Sequence, residues 1–111
     1  MVEERKPSDV VQGTLDMLIL KTLALEPMHG YGVGLRIEQI STGVFQVNAG
    51  SLFPAFRRLE RQGLIEGEWR ATENNRRAKY YRRTKAGERQ VGIETKQWNT
   101  IAGAMANALK A

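Results

Sequence analysis

The sequence contains no cysteine, one histidine and three prolines. Without cysteine there is no disulfide, no thiolate nucleophile and no cysteine-ligated metal, a composition that suits a reducing compartment. With His29 as the one imidazole, a histidine-rich zinc site is excluded, and a Ser-His-Asp triad would have to be built around that residue alone. His29 itself reads as a turn residue. No apolar run approaches the ~20 residues a membrane span needs, and the N-terminus lacks the apolar centre of a secretory signal. The expected location is therefore the cytoplasm, with no membrane partner. Neither a catalytic constellation nor a metal or cofactor motif is visible, so no enzyme is expected. The glycines at 30, 32 and 34 do not form a phosphate loop, because no Gly-Lys-Ser/Thr follows them.

What is present is an ordinary globular composition, 41% hydrophobic and 26% charged, in 111 residues. That length suits one compact unit. The net charge of +5 is unevenly placed. Residues 70–89 hold eight basic and two acidic side chains, so this stretch carries +6 and the remainder −1. An imbalance confined to one short stretch points to a local polyanion contact, with a merely solvated basic face as the alternative.

Hydrophobic spacing predicts a first helix over 12–26 with Val11, Leu15, Leu18, Ile19, Thr22 and Leu25 on its inner face, stopped by Pro27. Val33, Ile37 and Ile40 predict a second helix after the turn at 29–32, ending near Gly43. A third begins at Asn48 or Ser51 as N-cap and runs to Gly63; with Ser51 as cap, Pro54 falls in the first turn. Leu52, Phe56 and Leu59 share its inner side. Gly50, Pro54, Arg57 and Arg61 project from the other, flanked by Ser51, Phe53 and Arg58. Residues 64–70 and 77–84 then alternate as two strands, with Ile65, Gly67 and Trp69 on one side and a basic tip containing Asn74 and Asn75 between them. Thr84 caps a last helix from Lys85 to the end, along which Val91, Trp98, Ile101 and Met105 approximate a heptad seam. A stripe left over once three helices and a hairpin have closed a core wants a partner, and the same helix of a second copy is the simplest one, with packing back on its own domain as the alternative.

The expected fold is mainly α with a small β-hairpin. It reads as a winged helix-turn-helix over residues 1–84, with 1–8 a flexible arm, followed by a C-terminal dimerisation helix over 85–111. In that architecture the third helix enters the major groove of DNA and the hairpin follows the backbone or minor groove. Arg57 and Arg61 are the candidates for guanine, and Arg58 for phosphate. Asn75, Arg76, Arg77 and Lys79 are candidates for phosphate or minor-groove contact. Glu60, Glu66 and Glu68 read as salt-bridge partners or surface solvation.

The sequence also resembles the PadR-like transcriptional regulators, in particular their short subfamily with a single C-terminal helix. The resemblance rests on residues 13–20, on Pro27-Met28-His29-Gly30-Tyr31-Gly32, and on residues 50–60 followed by Gly63-Leu64-Ile65. It continues through Glu68-Trp69, residues 74–81, Thr84-Lys85-Ala86-Gly87 and Trp98. Phe53 stands where the family usually has tyrosine, and Gly32 and Gly34 loosen the second helix. The resemblance implies a homodimeric repressor on a pseudo-palindromic operator in double-stranded DNA, released by a small aromatic effector. It also implies a phosphate contact for Tyr31 and places Trp98 beside the effector between subunits. The rival reading is a winged-helix protein-interaction module without specific DNA binding, which uses the basic face for an acidic partner.

Overall fold

The computed structural model describes residues 12–111, so the expected arm over 1–8 and Val11 lie outside the described residues. Among the described residues, four helices and three strands follow in the order α1 (Gln12–Thr22), β1 (Met28–His29), α2 (Gly30–Ile40), α3 (Ala49–Arg61), β2 (Ile65–Ala71), β3 (Arg77–Arg83) and α4 (Lys85–Lys110). This is the mainly helical winged architecture expected, with one addition. The hairpin belongs to a three-stranded antiparallel sheet of order β1-β3-β2, in which Met28 and His29 pair with Tyr81 and Tyr80.

The core forms where the inner faces of the first three helices meet the base of the hairpin. Ile19, Ile37, Phe56, Leu59 and Ile65 are all fully buried there. Phe56 lies flat on Tyr81, with ring centroids 4.3 Å apart. Burying a side chain of this size stabilises a fold by about 1.5–3 kcal/mol. The Tyr81 hydroxyl is pushed above the usual tyrosine range, chiefly by burial.

Three expectations are corrected. Helix α1 ends at Thr22, not near Glu26, and Leu25 turns outward with 80% of its surface exposed. Pro27 disfavours helical backbone at Glu26, and residues 28–29 are drawn off into the sheet. Helix α2 starts at Gly30, inside the segment read as a turn. His29 is its N-cap, and Nδ1 accepts the Gly32 N–H at 3.0 Å. Val91, expected on the free seam of the last helix, is only 7% exposed and belongs to the core cluster. The α4 stripe left open therefore begins further along.

The chain turns from α3 into the hairpin through Gly63, at φ +72°, and into α4 through Thr84. The Thr84 Oγ1 accepts the Gly87 N–H at 3.1 Å and donates to the Gly63 carbonyl at 2.7 Å. Gly87 is there because nothing larger fits: a Cβ would stand 2.2 Å from the Leu64 carbonyl oxygen. Gly92, five residues on, has open space around its missing side chain. Gly87→Ala is expected to cost about 1–3 kcal/mol through overpacking, whereas Gly92→Ala should be neutral or stabilising by up to ~1 kcal/mol. Urea unfolding midpoints check both; a Gly87→Ala midpoint equal to the parent's would show that the helix start shifts freely.

Candidate nucleic-acid interface

Helix α3 separates its two faces cleanly. Leu52, Ala55, Phe56 and Leu59 are buried, while Gly50, Ser51, Pro54, Arg57 and Arg61 are exposed. The Asn48 side chain caps the helix by accepting the Ser51 N–H at 2.9 Å, which decides between the two caps the sequence allows. With Asn48 as cap, Pro54 sits in the second turn and not the first. Its missing N–H leaves the Gly50 carbonyl without the usual i−4 donor, on the outward side. Phe53, half-buried, is held edge-on between Phe56 and Tyr31, with centroids 5.9 and 5.7 Å away. Tyr31 itself is 72% exposed.

The hairpin tip is closed by Thr72, whose N–H and hydroxyl both donate to the Arg76 carbonyl, at 2.7 and 2.8 Å. Asn75 adopts left-handed backbone at φ +57°, the conformation its side chain tolerates. Beside the tip the Arg77 guanidinium lies 5.5 Å over the Trp69 ring. Between α3 and the hairpin runs an open groove of about 410 Å³, with Tyr31, Phe53, Arg57, Trp69, Arg77 and Lys79 among its walls. Trp69 is a groove residue that the sequence reading does not assign to the interface. It alternates in step with buried Ile65, but the hairpin leaves the domain, so the side that faces the core at Ile65 faces the groove at Trp69, which is 57% exposed.

The cations near this face fall into two groups. Among the described residues, Arg57, Arg61, Arg76 and Arg77 have no ion pair to a carboxylate. Arg58, expected at phosphate, instead turns back onto Asp16, with Nε–Oδ2 3.2 Å and Nη2–Oδ1 2.5 Å. The bond to Asp16 raises the Arg58 pKa further above its usual range, against the effect of partial burial. Lys79 pairs with Glu60 at 3.0 Å. Out on the wing, Arg70 meets Glu68 and Arg82 meets Glu66, both pairs exposed. Exposed pairs of this kind contribute about 0–1 kcal/mol.

From residue 95 onward α4 is exposed throughout, and Trp98, Ile101, Met105 and Leu109 form its apolar stripe. At the near end of the stripe, Thr14 and Met17 of α1 and Glu94, Gln97, Trp98 and Ile101 of α4 enclose a cleft of about 180 Å³. Among the described residues no cluster of His, Asp or Glu is arranged to hold a metal, and no helix is long and apolar enough to cross a membrane.

The family described as "Transcriptional regulator PadR-like family" matches residues 19–93. A transcriptional regulator from Clostridium thermocellum superposes with a TM-score of 0.82 at 27% identity, over 90% of this chain and 97% of that one. A PadR-like transcriptional regulator from Bacillus cereus gives 0.79 at 26%, over 94% and 99%. A PadR family transcriptional regulator from Eggerthella lenta gives 0.76 at 33%, over 91% and 86%.

The Arg58–Asp16 pair ties α3 to α1 across the domain. It is partly buried, so its coupling should lie between exposed and buried pairs, at about 1–2 kcal/mol. A double-mutant cycle of Asp16→Ala and Arg58→Ala in urea unfolding is the check. Additive single effects would mean that the two side chains do not support each other.

Proposed function

This chain belongs to the transcriptional regulator PadR-like family, and from that membership we propose that it is a homodimeric repressor whose two winged domains read the halves of a pseudo-palindromic operator. The family is one of DNA-binding regulators, not enzymes. The single observation that carries the reading is the outer face of α3, where, among the described residues, Arg57 and Arg61 stand without carboxylate partners beside a wing whose Arg76 and Arg77 are equally unpaired. Small exposed residues at its start allow the backbone close to base edges. A proline in a helix interior costs about 3 kcal/mol relative to alanine, and Pro54 is exposed, so the core does not explain it. A role at the DNA surface does.

In this proposal α3 lies in the major groove. Asn48, Gly50, Ser51, Phe53 and Pro54 approach base edges, and Arg57 or Arg61 pairs with guanine through O6 and N7. Tyr31, Asn75, Arg76 and Arg77 hold phosphate or the minor groove, and Arg58 acts from behind by fixing α3 on α1. Residues up to 84 form the DNA-binding unit, and α4 joins two copies so that half-sites fall roughly 34 Å apart or a multiple of that. DNA as partner sets the place of action in the cytoplasm. A small aromatic effector beside Trp98 releases the operator. The cleft there, about 180 Å³, falls below the ~300–1,000 Å³ of ordinary ligand sites, which supports a second copy as its missing wall.

Selection of bound fragments from random duplexes followed by footprinting tests the reading. The expected result is a two-fold symmetric footprint; binding without sequence preference would remove it. Arg57→Ala should lower specific affinity by about 1–3 kcal/mol and relax preference at one position per half-site, whereas Arg76→Ala should weaken all sequences alike. The slope of log affinity against log salt should flatten by ~0.9 for each phosphate that a substitution leaves without its cation. Trp98→Ala should shift the sedimentation profile toward monomer, and a profile and effector titration like the parent's would exclude Trp98 from both roles.

A further inference from the structure

Beyond Ile65, strand β2 is exposed along its whole length. The wing is held to the domain at its base, by Ile65 and by Tyr81 on Phe56. Further out, among the described residues, one ion pair links it to the recognition helix: the Lys79 Nζ to the Glu60 Oε1 at 3.0 Å. Both side chains are about three-quarters buried, with relative exposures of 29% and 26%. Lys79 stands opposite Trp69 in the ladder, and Gly67 stands opposite Tyr81. To reach Glu60, the lysine chain crosses directly over Gly67. A Cβ at that position would lie 2.3 Å from the Lys79 Cε and 3.2 Å from the Glu60 Oε2. The ammonium also sits 5.5 Å from the centre of the Tyr81 ring.

We propose that Glu60, Gly67 and Lys79 form a strut that sets the angle of the wing to the recognition helix, so that Glu60 is a positioning residue for DNA recognition and Lys79 acts on α3 instead of on phosphate. The inference rests on the DNA-binding reading for its consequence, though not for its geometry. It accounts for a carboxylate beside a surface that has to meet a polyanion: the charge of Glu60 is spent on Lys79. It also bears on Gly67, where a side chain would make the far end of the lysine shift from its present path to Glu60. A helix and a wing that engage one duplex together behave as two linked ligands, and a rigid link at the right spacing raises the effective concentration of the second contact.

Charge exchange separates the strut from a phosphate contact. Glu60→Gln, Lys79→Met and Gly67→Ala should each accelerate amide exchange in β2 and β3 of the free full-length protein, by roughly three- to tenfold. The Glu60→Lys/Lys79→Glu double variant should return exchange toward the parent rate. In hydroxyl-radical footprints, protections contributed by the wing should fade in Lys79→Glu and reappear in the double variant, while base preferences under α3 persist. A phosphate-bound lysine predicts the reverse, because a glutamate at 79 then repels DNA whatever stands at 60. Unaltered exchange in all three single variants, or a double variant as defective in wing protection as Lys79→Glu, overturns the strut. A parent protein that gives no footprint refutes the DNA-binding reading instead, and the exchange rates still decide the strut.

Discussion

Phe56 has no exposed surface and lies flat on Tyr81, so the helix that carries the outward arginines and the strand that carries the wing share one apolar contact. The rest of the arrangement depends on it. Rotating α3 about its axis to bring Arg57 inward would pull Phe56 from the ring and expose Leu52 and Leu59 with it. Because all three lie on one side of the helix, the buried face determines the outer one. The cationic surface is therefore held in place by packing and not by the charges themselves, which repel one another.

Charge then divides into two kinds of work. Arg58 and Lys79 are turned inward to Asp16 and Glu60, each partly buried, each linking α3 to another element. Arg57, Arg61, Arg76 and Arg77 are exposed and, among the described residues, have no carboxylate partner, with Arg77 lying over the Trp69 ring. A basic count along the sequence cannot make this distinction, yet the two kinds differ in what they offer a polyanion. A cation already bonded to a carboxylate in a partly dry site has little net charge to present, and it loses that bond if it swings out. The unpaired arginines release only counterions and water when they meet phosphate.

Much of this was legible in the residues. The spacing of Leu52, Phe56 and Leu59 identified the inner face of α3, because helical period and burial agree there. Asn75 and Thr84 marked the hairpin turn and the last cap through side-chain chemistry that acts within a few residues. The unreadable parts share a cause, which is dependence on distant neighbours. Asp16 and Arg58 are 42 positions apart, and no local pattern pairs them. Strand β1 is two residues long and exists only through its bonds to β3. Helix α1 stops at Thr22, ahead of Pro27 and of the two residues that pair with β3. Val91 has the heptad spacing of the stripe but lies where α4 still runs over the core, and periodicity alone cannot show where a helix leaves its own domain.

That departure point makes α4 unusual as a piece of physics. Its first turns are anchored by Thr84, Gly87 and Val91, while from residue 95 onward every residue is exposed. Helices in proteins draw most of their stability from tertiary packing, and beyond the cleft that Trp98 and Ile101 share with α1 this stretch has little of it. Gly103 weakens it by a further ~1 kcal/mol relative to alanine, and no neighbour explains its size, because the space around it is open. The segment nevertheless sets Trp98, Ile101 and Met105 on one side, with Ala102, Gly103, Ala104 and Ala106 between and beyond them. Small residues beside large apolar ones let a second helix approach closely, and burial of the stripe against it would supply the stability that the free segment lacks. The proposed two-fold partner answers both features at once, whereas a helix meant to remain in water would gain from polar residues at those positions and from alanine at 103.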